Sequence, residues 1–329
     1  MKHPFIEGLL MSIKVRLFVF ALAALSTTLS AARADYPDHP ITLIVPLAAG
    51  GGTDISARTM AKYLEKELNG HVVVVNRPGA AGAIGLSEVA RAAPDGYTLG
   101  IVNTPGIVSI PIERNAGFTL DSFEFLAATT YDPGTISVRS DGPFKTLADF
   151  IAEAKKRPGE LTVATQGAGS AGHLAVLMLE KTAGIKLKPV PYGGSADNRN
   201  ALLSGEVDAV AVNFGEALSF SQGTPWRILG VMSDKRNPLD DKIPTFAESG
   251  NALQSGSLRG FAGPKGMPPE VVSKLTLALR KIGNDPHYIA TSSKTFQPPI
   301  YLEGKDYVAA LHSTQANLEK VWADTPWRQ

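Results

Sequence analysis

The chain contains no cysteine. That excludes disulfides, thiolate metal sites, a cysteine nucleophile and a lipid-modified cysteine behind a leader. Its six histidines, His3, His39, His71, His173, His287 and His312, show no metal-ligand spacing, so neither a metal nor a cofactor is expected. Long basic runs are missing as well. Lys155-Lys156-Arg157 reads as the last turn of a helix, and the scattered charge points away from nucleic acid. No low-complexity segment or short-period repeat interrupts the chain.

What is present begins with a leader. Lys14 and Arg16 precede an apolar run over residues 17–25, and Ala32-Arg33-Ala34 supplies an A-x-A cleavage site before Asp35. The run is far shorter than the roughly 20 residues of a spanning helix. Residues 1–34 therefore read as a secretory leader cleaved after Ala34, with an N-terminal membrane anchor as the alternative. Met11 offers a second start that gives a leader of more usual length. Removing Lys2, Lys14, Arg16 and Arg33 against Glu7 leaves 28 basic and 30 acidic residues, a net charge of −2. An exported, unanchored monomer is expected, periplasmic in a bacterium.

The remaining length suggests two domains at roughly 150 residues each. Short apolar runs flanked by turn residues at 41–46, 72–75, 97–102, 161–165, 187–190, 207–212 and 227–232 read as buried parallel strands. Helical periods lie between them. Ile55, Ala57, Met60, Ala61, Leu64 and Leu68 share a face, with Gly70 expected to end the helix in a left-handed conformation. A second stripe over Leu86, Val89, Ala90 and Ala93 stops at Pro94. Thr146 and Asp149 have the spacing of a capping box. Pro269 suits the first turn of a helix through Leu279, and a last helix covers 307–321. The alternation predicts α/β layers with right-handed crossovers. One coarse echo, a strand, a Gly-rich turn and a helix near residue 50 and again near 168, predicts two α/β halves around a ligand cleft at the strand ends.

The first of these turns is Ala49-Gly50-Gly51-Gly52-Thr53-Asp54, which holds no Lys, Arg or His. Such a turn can grip an anion with backbone N–H groups and the Thr53 hydroxyl, or its glycines can serve geometry alone. Asp54 would repel an anion. It reads as a cap on the helix end or as a partner for an amine or hydroxyl. The second turn, Thr165-Gln166-Gly167-Ala168-Gly169-Ser170, leads to His173, whose plainer role is a structural hydrogen bond beneath the loop. Ala168-Gly169-Ser170-Ala171-Gly172 approximates a nucleophile elbow, so a secreted serine hydrolase built on Ser170 is the rival from another class. For that rival, His287 lies on what reads as an outer loop. The third stretch, residues 77–85, has Ala80 where a dinucleotide fingerprint needs glycine, and reads as a close-packed loop feeding a helix.

With these phrases the chain resembles a solute-binding receptor of the tripartite tricarboxylate transporters, the Bug (Bordetella uptake gene) family. The resemblance rests on Tyr36-Pro37, Pro40 through Pro46, Ala48 through Asp54 with Ala57-Arg58, Asn76 through Ala80, Pro94 through Leu99, Lys156 through Gly159, Gly169-Ser170, His173-Leu174, Pro191-Tyr192, Gly194 through Ala196, Pro244-Thr245 and Glu248 through Gly250. It implies a type II periplasmic binding protein of two α/β domains, laid out as 35–127, 128–254 and a return segment 255–329. It also implies that the chain is no enzyme. The expected ligand is a small organic acid, held by Leu47, Ala48, Ala49, Gly50, Gly51, Thr53 and Asp54 on one side. Thr104, Thr165, Gly167, Gly169, Ser170, His173, Tyr192, Ser195 and Asn213 complete the expected set. A membrane permease is the implied partner, with a sensor kinase as a further one. Leu47, Gly193 and residues 107–111 depart from the family pattern close to the cleft, so ligand identity does not transfer.

Overall fold

The computed structural model describes residues 35–327. The leader expectation lies outside the described residues. One compact unit, beginning at His39, holds every element below.

That unit is built on one ten-stranded sheet in the order β2-β1-β3-β9-β4-β7-β5-β6, with β8 and β10 also paired to β4. The strands are β1 Ile41–Val45, β2 Val72–Asn76, β3 Thr98–Asn103, β4 Phe123–Arg139, β5 Thr162–Thr165, β6 Lys188–Pro191, β7 Ala209–Asn213, β8 Trp226–Val231, β9 Gly256–Pro264 and β10 Pro299–Glu303. All seven expected strands are present. β1 pairs in parallel with β2 and β3, and β5 in parallel with β6 and β7, as the βα alternation predicts. β8 corrects that expectation, because it pairs antiparallel with β4.

β4, β9 and β10 were not legible, and all three run antiparallel. β4 hides because Asp132-Pro133-Gly134 lies in its middle and reads as a turn. Those residues mark a change of partner instead. β4 pairs with β9 through Pro133, and with β7 from Gly134 onward. Proline has no N–H to donate, so its place at the changeover interrupts neither ladder. The sheet thus has two halves, β1–β3 with β9 and β10, and β5–β8, threaded by one strand.

Side-chain alternation fixes how the second half is covered. Ala209 and Ala211 of β7 join one core with Phe150, Ala175 and Leu179, while Val210 and Val212 join the opposite core with Leu202, Ala217 and Leu218. All five β7 residues are buried, as a strand with helices on both faces must be. The first half closes around Val102, Ile107, Phe123 and Tyr307.

Helix ends follow local chemistry. The Gly52–Leu68 helix ends on Asn69, at φ 51°, and not on Gly70; asparagine tolerates the left-handed region through its short polar side chain. His287 is not on a loop. Asp285 accepts its N–H at 2.8 Å and caps the helix Pro286–Lys294. Residues 79–82 all have positive φ and feed the helix Ala83–Ala90. The Thr146–Asp149 capping box forms: Thr146 Oγ1 accepts the Asp149 N–H at 3.1 Å, and the Asp149 carboxylate accepts the Thr146 N–H at 2.9 Å. Thr146→Ala is expected to cost about 1 kcal/mol, a fall of about 2–4 °C in melting temperature for a chain of this size, readable by thermal denaturation.

Candidate functional site

β1 ends at Val45, and the chain crosses an exposed arch, Ala48 through Gly50, before Gly52 opens a 17-residue helix. Asp54 ties this arch together. Its carboxylate accepts from Gly50 N–H at 3.0 Å, Arg58 Nε at 3.0 Å and Asn76 Nδ2 at 2.9 Å, and Asn76 also donates to the Leu47 carbonyl at 3.0 Å. Burial works to raise the Asp54 pKa, but hydrogen bonds from Arg58, Gly50 and Asn76 outweigh it and hold the carboxyl below its usual range. Asp54 is therefore an internal cap, and Thr53 is buried in the same turn.

The Gly52 N–H points the other way. It donates to Glu216 Oε1 at 3.1 Å, and Glu216 belongs to the second half of the sheet. The same oxygen accepts from Ser195 Oγ at 2.9 Å, while Oε2 accepts from the Asn213 N–H at 3.3 Å. Asn213 ends β7 and caps the Phe214–Ser221 helix in a capping box with Glu216. Ser195 opens the helix Ser195–Ser204. One carboxylate thus sits at the N-terminal ends of three helices, each carrying about half a positive charge. Gly51 borders the same cluster: a Cβ there would lie 3.6 Å from Ser195 Oγ and 3.9 Å from Glu216 Oε1, ordinary contact distances.

Behind the seat runs a buried polar network. Arg259 of β9 is 2% exposed, and its Nη1 donates to Asp132 Oδ2 at 2.9 Å and to Gln297 Oε1 at 3.2 Å. Ser56 Oγ donates to the same Gln297 oxygen at 2.6 Å, and the Gly215 N–H donates to Asp132 Oδ1 at 2.9 Å. The chain of bonds links Ser56 of the Gly52–Leu68 helix to Gly215 in the first turn of the Phe214–Ser221 helix. A Cβ at Gly52 would lie 2.7 Å from Arg259 Nη2, so any side chain there would have to displace the buried guanidinium. Burial pushes Asp132 up to about 6 against the pull of Arg259 and the Gly215 N–H.

Of the expected site residues, the structure brings Gly51, Ser195 and Asn213 together around Glu216. The second Gly-rich turn has other bonds. Ser170 Oγ accepts the His173 N–H at 3.2 Å, His173 Nδ1 accepts the Gly169 N–H at 3.2 Å, and Ser109 Oγ donates to the Gly169 carbonyl at 3.1 Å. Burial lowers the His173 pKa, in keeping with a neutral ring that accepts. Ser170 serves as a helix cap. Gly167 has a φ of 94° and Thr165 is buried at the end of β5. Thr104 extends the β3–β9 ladder, with Oγ1 accepting from the Leu258 N–H at 2.9 Å. The Tyr192 hydroxyl donates to Glu206 at 2.7 Å; partial burial, then that carboxylate, push its pKa up to about 12.

Sequence reasoning missed Glu216, Arg259, Asp132 and Gln297. Glu216 was findable, since Asn213 followed three residues later by Glu is a capping-box spacing. Asp132 and Arg259 carried no signal, because 127 residues separate them.

The family described as "Tripartite tricarboxylate transporter family receptor" matches residues 56–321. A Cupriavidus necator protein named for the gbd 5' region is 33% identical over 279 residues, covering 84% of each chain. Among solved structures, R. palustris Rpa4515 with adipate has a TM-score of 0.83 at 29% identity, over 88% of this chain and 98% of that one. The periplasmic binding protein BugD has a TM-score of 0.81 at 29% identity, over 89% and 99%.

Proposed function

The chain belongs to the tripartite tricarboxylate transporter receptor family, and from that premise we propose that it captures a small organic acid between the halves of its sheet and delivers it to a membrane permease. One observation carries the reading. Donors from both halves, the Gly52 N–H on one side and the Ser195 hydroxyl and Asn213 N–H on the other, converge on a single carboxylate. Hydrogen bonds to a charged acceptor are worth about 1.5–3 kcal/mol each, and exclusion of water on closure strengthens them. The seat itself uses neutral donors, since the Arg259 charge is paired with Asp132. That favours capture with release, because among the described residues the donors that reach this carboxylate are two amides and a hydroxyl. Adipate in a relative of similar fold supports the class of ligand.

In this reading two domains, 35–127 with 255–329 and 128–254, enclose the acid; the partner change in β4 falls between Pro133 and Gly134, six residues beyond the first boundary. Export by a leader cleaved after Ala34 puts the receptor in the periplasm.

A thermal-shift screen of the exported chain with C4 to C6 dicarboxylates, adipate among them, tests the reading. An acid at 100 times its Kd should add about 2.7 kcal/mol of stability. Ser195→Ala should weaken that acid about tenfold by calorimetry, one lost hydrogen bond to a charged group. A panel in which neutral solutes shift the melt and no acid does would reject the reading.

A further inference from the structure

Glu216 has more contacts than its place in a capping box requires. A capping glutamate needs one bond, back to the cap residue's N–H, and Oε2 makes that bond to Asn213 at 3.3 Å. The closer contacts belong to the other oxygen. Oε1 turns away from its own helix and takes two donors, Ser195 Oγ at 2.9 Å and, from the opposite half of the sheet, Gly52 N–H at 3.1 Å. The Gly52 and Asn213 amides and the Ser195 hydroxyl are the groups that a carboxylate ligand would need.

We propose that Glu216 is a resident pseudo-ligand: its carboxylate occupies the ligand's carboxylate seat and holds the halves together until an incoming acid displaces it. The proposal rests on the reading that the receptor binds an organic acid. It gives Glu216 two effects. It sets selectivity, because a solute needs an anionic oxygen group of its own, such as a carboxylate, to satisfy all three donors once Glu216 leaves. A neutral solute of the same size would strand them, and unpaired donors in a closed site are costly. It also sets affinity, because the seat must be vacated first. A receptor whose competent state is a minor population binds with an apparent Kd raised by that fraction.

Glu216→Gln separates these roles from helix capping. Glutamine is an accepted capping-box residue, so the helix start is kept while the charge that competes with a ligand is removed. Calorimetry with the acid that gives the largest thermal shift should show Glu216→Gln binding it about tenfold tighter than the parent chain. Small-angle scattering on the ligand-free proteins should show a larger radius of gyration for Glu216→Ala than for the parent, and the difference should close when the acid is added. Equal or weaker binding by Glu216→Gln, or identical scattering of the ligand-free forms, would overturn the pseudo-ligand while leaving the receptor reading intact. Weaker binding would instead make Glu216 a direct contact for the solute. Failure of every acid against both proteins, in scattering as in calorimetry, would remove the underlying reading and the pseudo-ligand with it.

Discussion

Asp132→Ala is expected to lower stability at neutral pH by about 3–5 kcal/mol, the usual cost of breaking one side of a buried ion pair. Asp132 is 0% exposed and its partner Arg259 2% exposed. The guanidinium cannot shed its proton to escape, and the alanine variant also strands the Gly215 N–H. Asp132→Asn keeps one acceptor oxygen, enough for Arg259 or for the Gly215 N–H, where alanine keeps none, so it should be the milder change. The pH dependence tells the two apart. Burial raises the Asp132 pKa from 3.8 to about 6, so the folded chain binds that proton more tightly than the unfolded chain does. Stability from this group is therefore complete below about pH 4 and is lost as the pH rises through 6. Asp132→Asn is fixed in the neutral form and escapes that loss. It should gain on the parent between pH 4 and pH 7 in urea unfolding, while Asp132→Ala stays the least stable. An alanine variant as stable as the asparagine variant would show that the network carries no load.

Gly215→Ala should produce the other large effect. A Cβ at Gly215 would lie 1.8 Å from the Phe296 carbonyl oxygen and 3.2 Å from Asp132 Oδ2. The obstacle is backbone, so no side-chain rotation relieves it. Phe296 is itself held at φ 55° in a tight turn. The Phe214–Ser221 helix would have to shift, carrying Asn213 and Glu216 with it. Overpacking of this kind costs about 3 kcal/mol, or about 6–12 °C in melting temperature, and acid binding should fall along with stability. Gly106→Ala is the matched control, since nothing lies within 4 Å of a Cβ there. Differential scanning calorimetry on both variants checks the contrast; equal melting temperatures would contradict it.

The elements legible in the sequence are those whose chemistry is local. β1, β2, β3, β5, β6 and β7 are short apolar runs between turn signals, and the Thr146 box and the Pro269 helix start are written in four residues each. What escaped is non-local. β9 contains three glycines of its own between Gly256 and Pro264 and a buried arginine, so neither strand periodicity nor hydrophobicity announces it. Its Arg259 is tolerable only because Asp132 arrives from a strand far away in sequence. The Gly-rich turn after β1 was readable as a place where backbone amides meet an anion. Which amides are free was not readable, because the Gly50 N–H is taken by Asp54 and the Gly52 N–H by Glu216.

β4 passes without a break from one half of the sheet to the other. Any opening of the molecule therefore has to bend this one strand, and Pro133 fixes a backbone angle at the bend. A graft that moved one half onto another scaffold would cut β4 and leave raw edges on both pieces, so redesign around Glu216 is better done in place with the crossing strand whole.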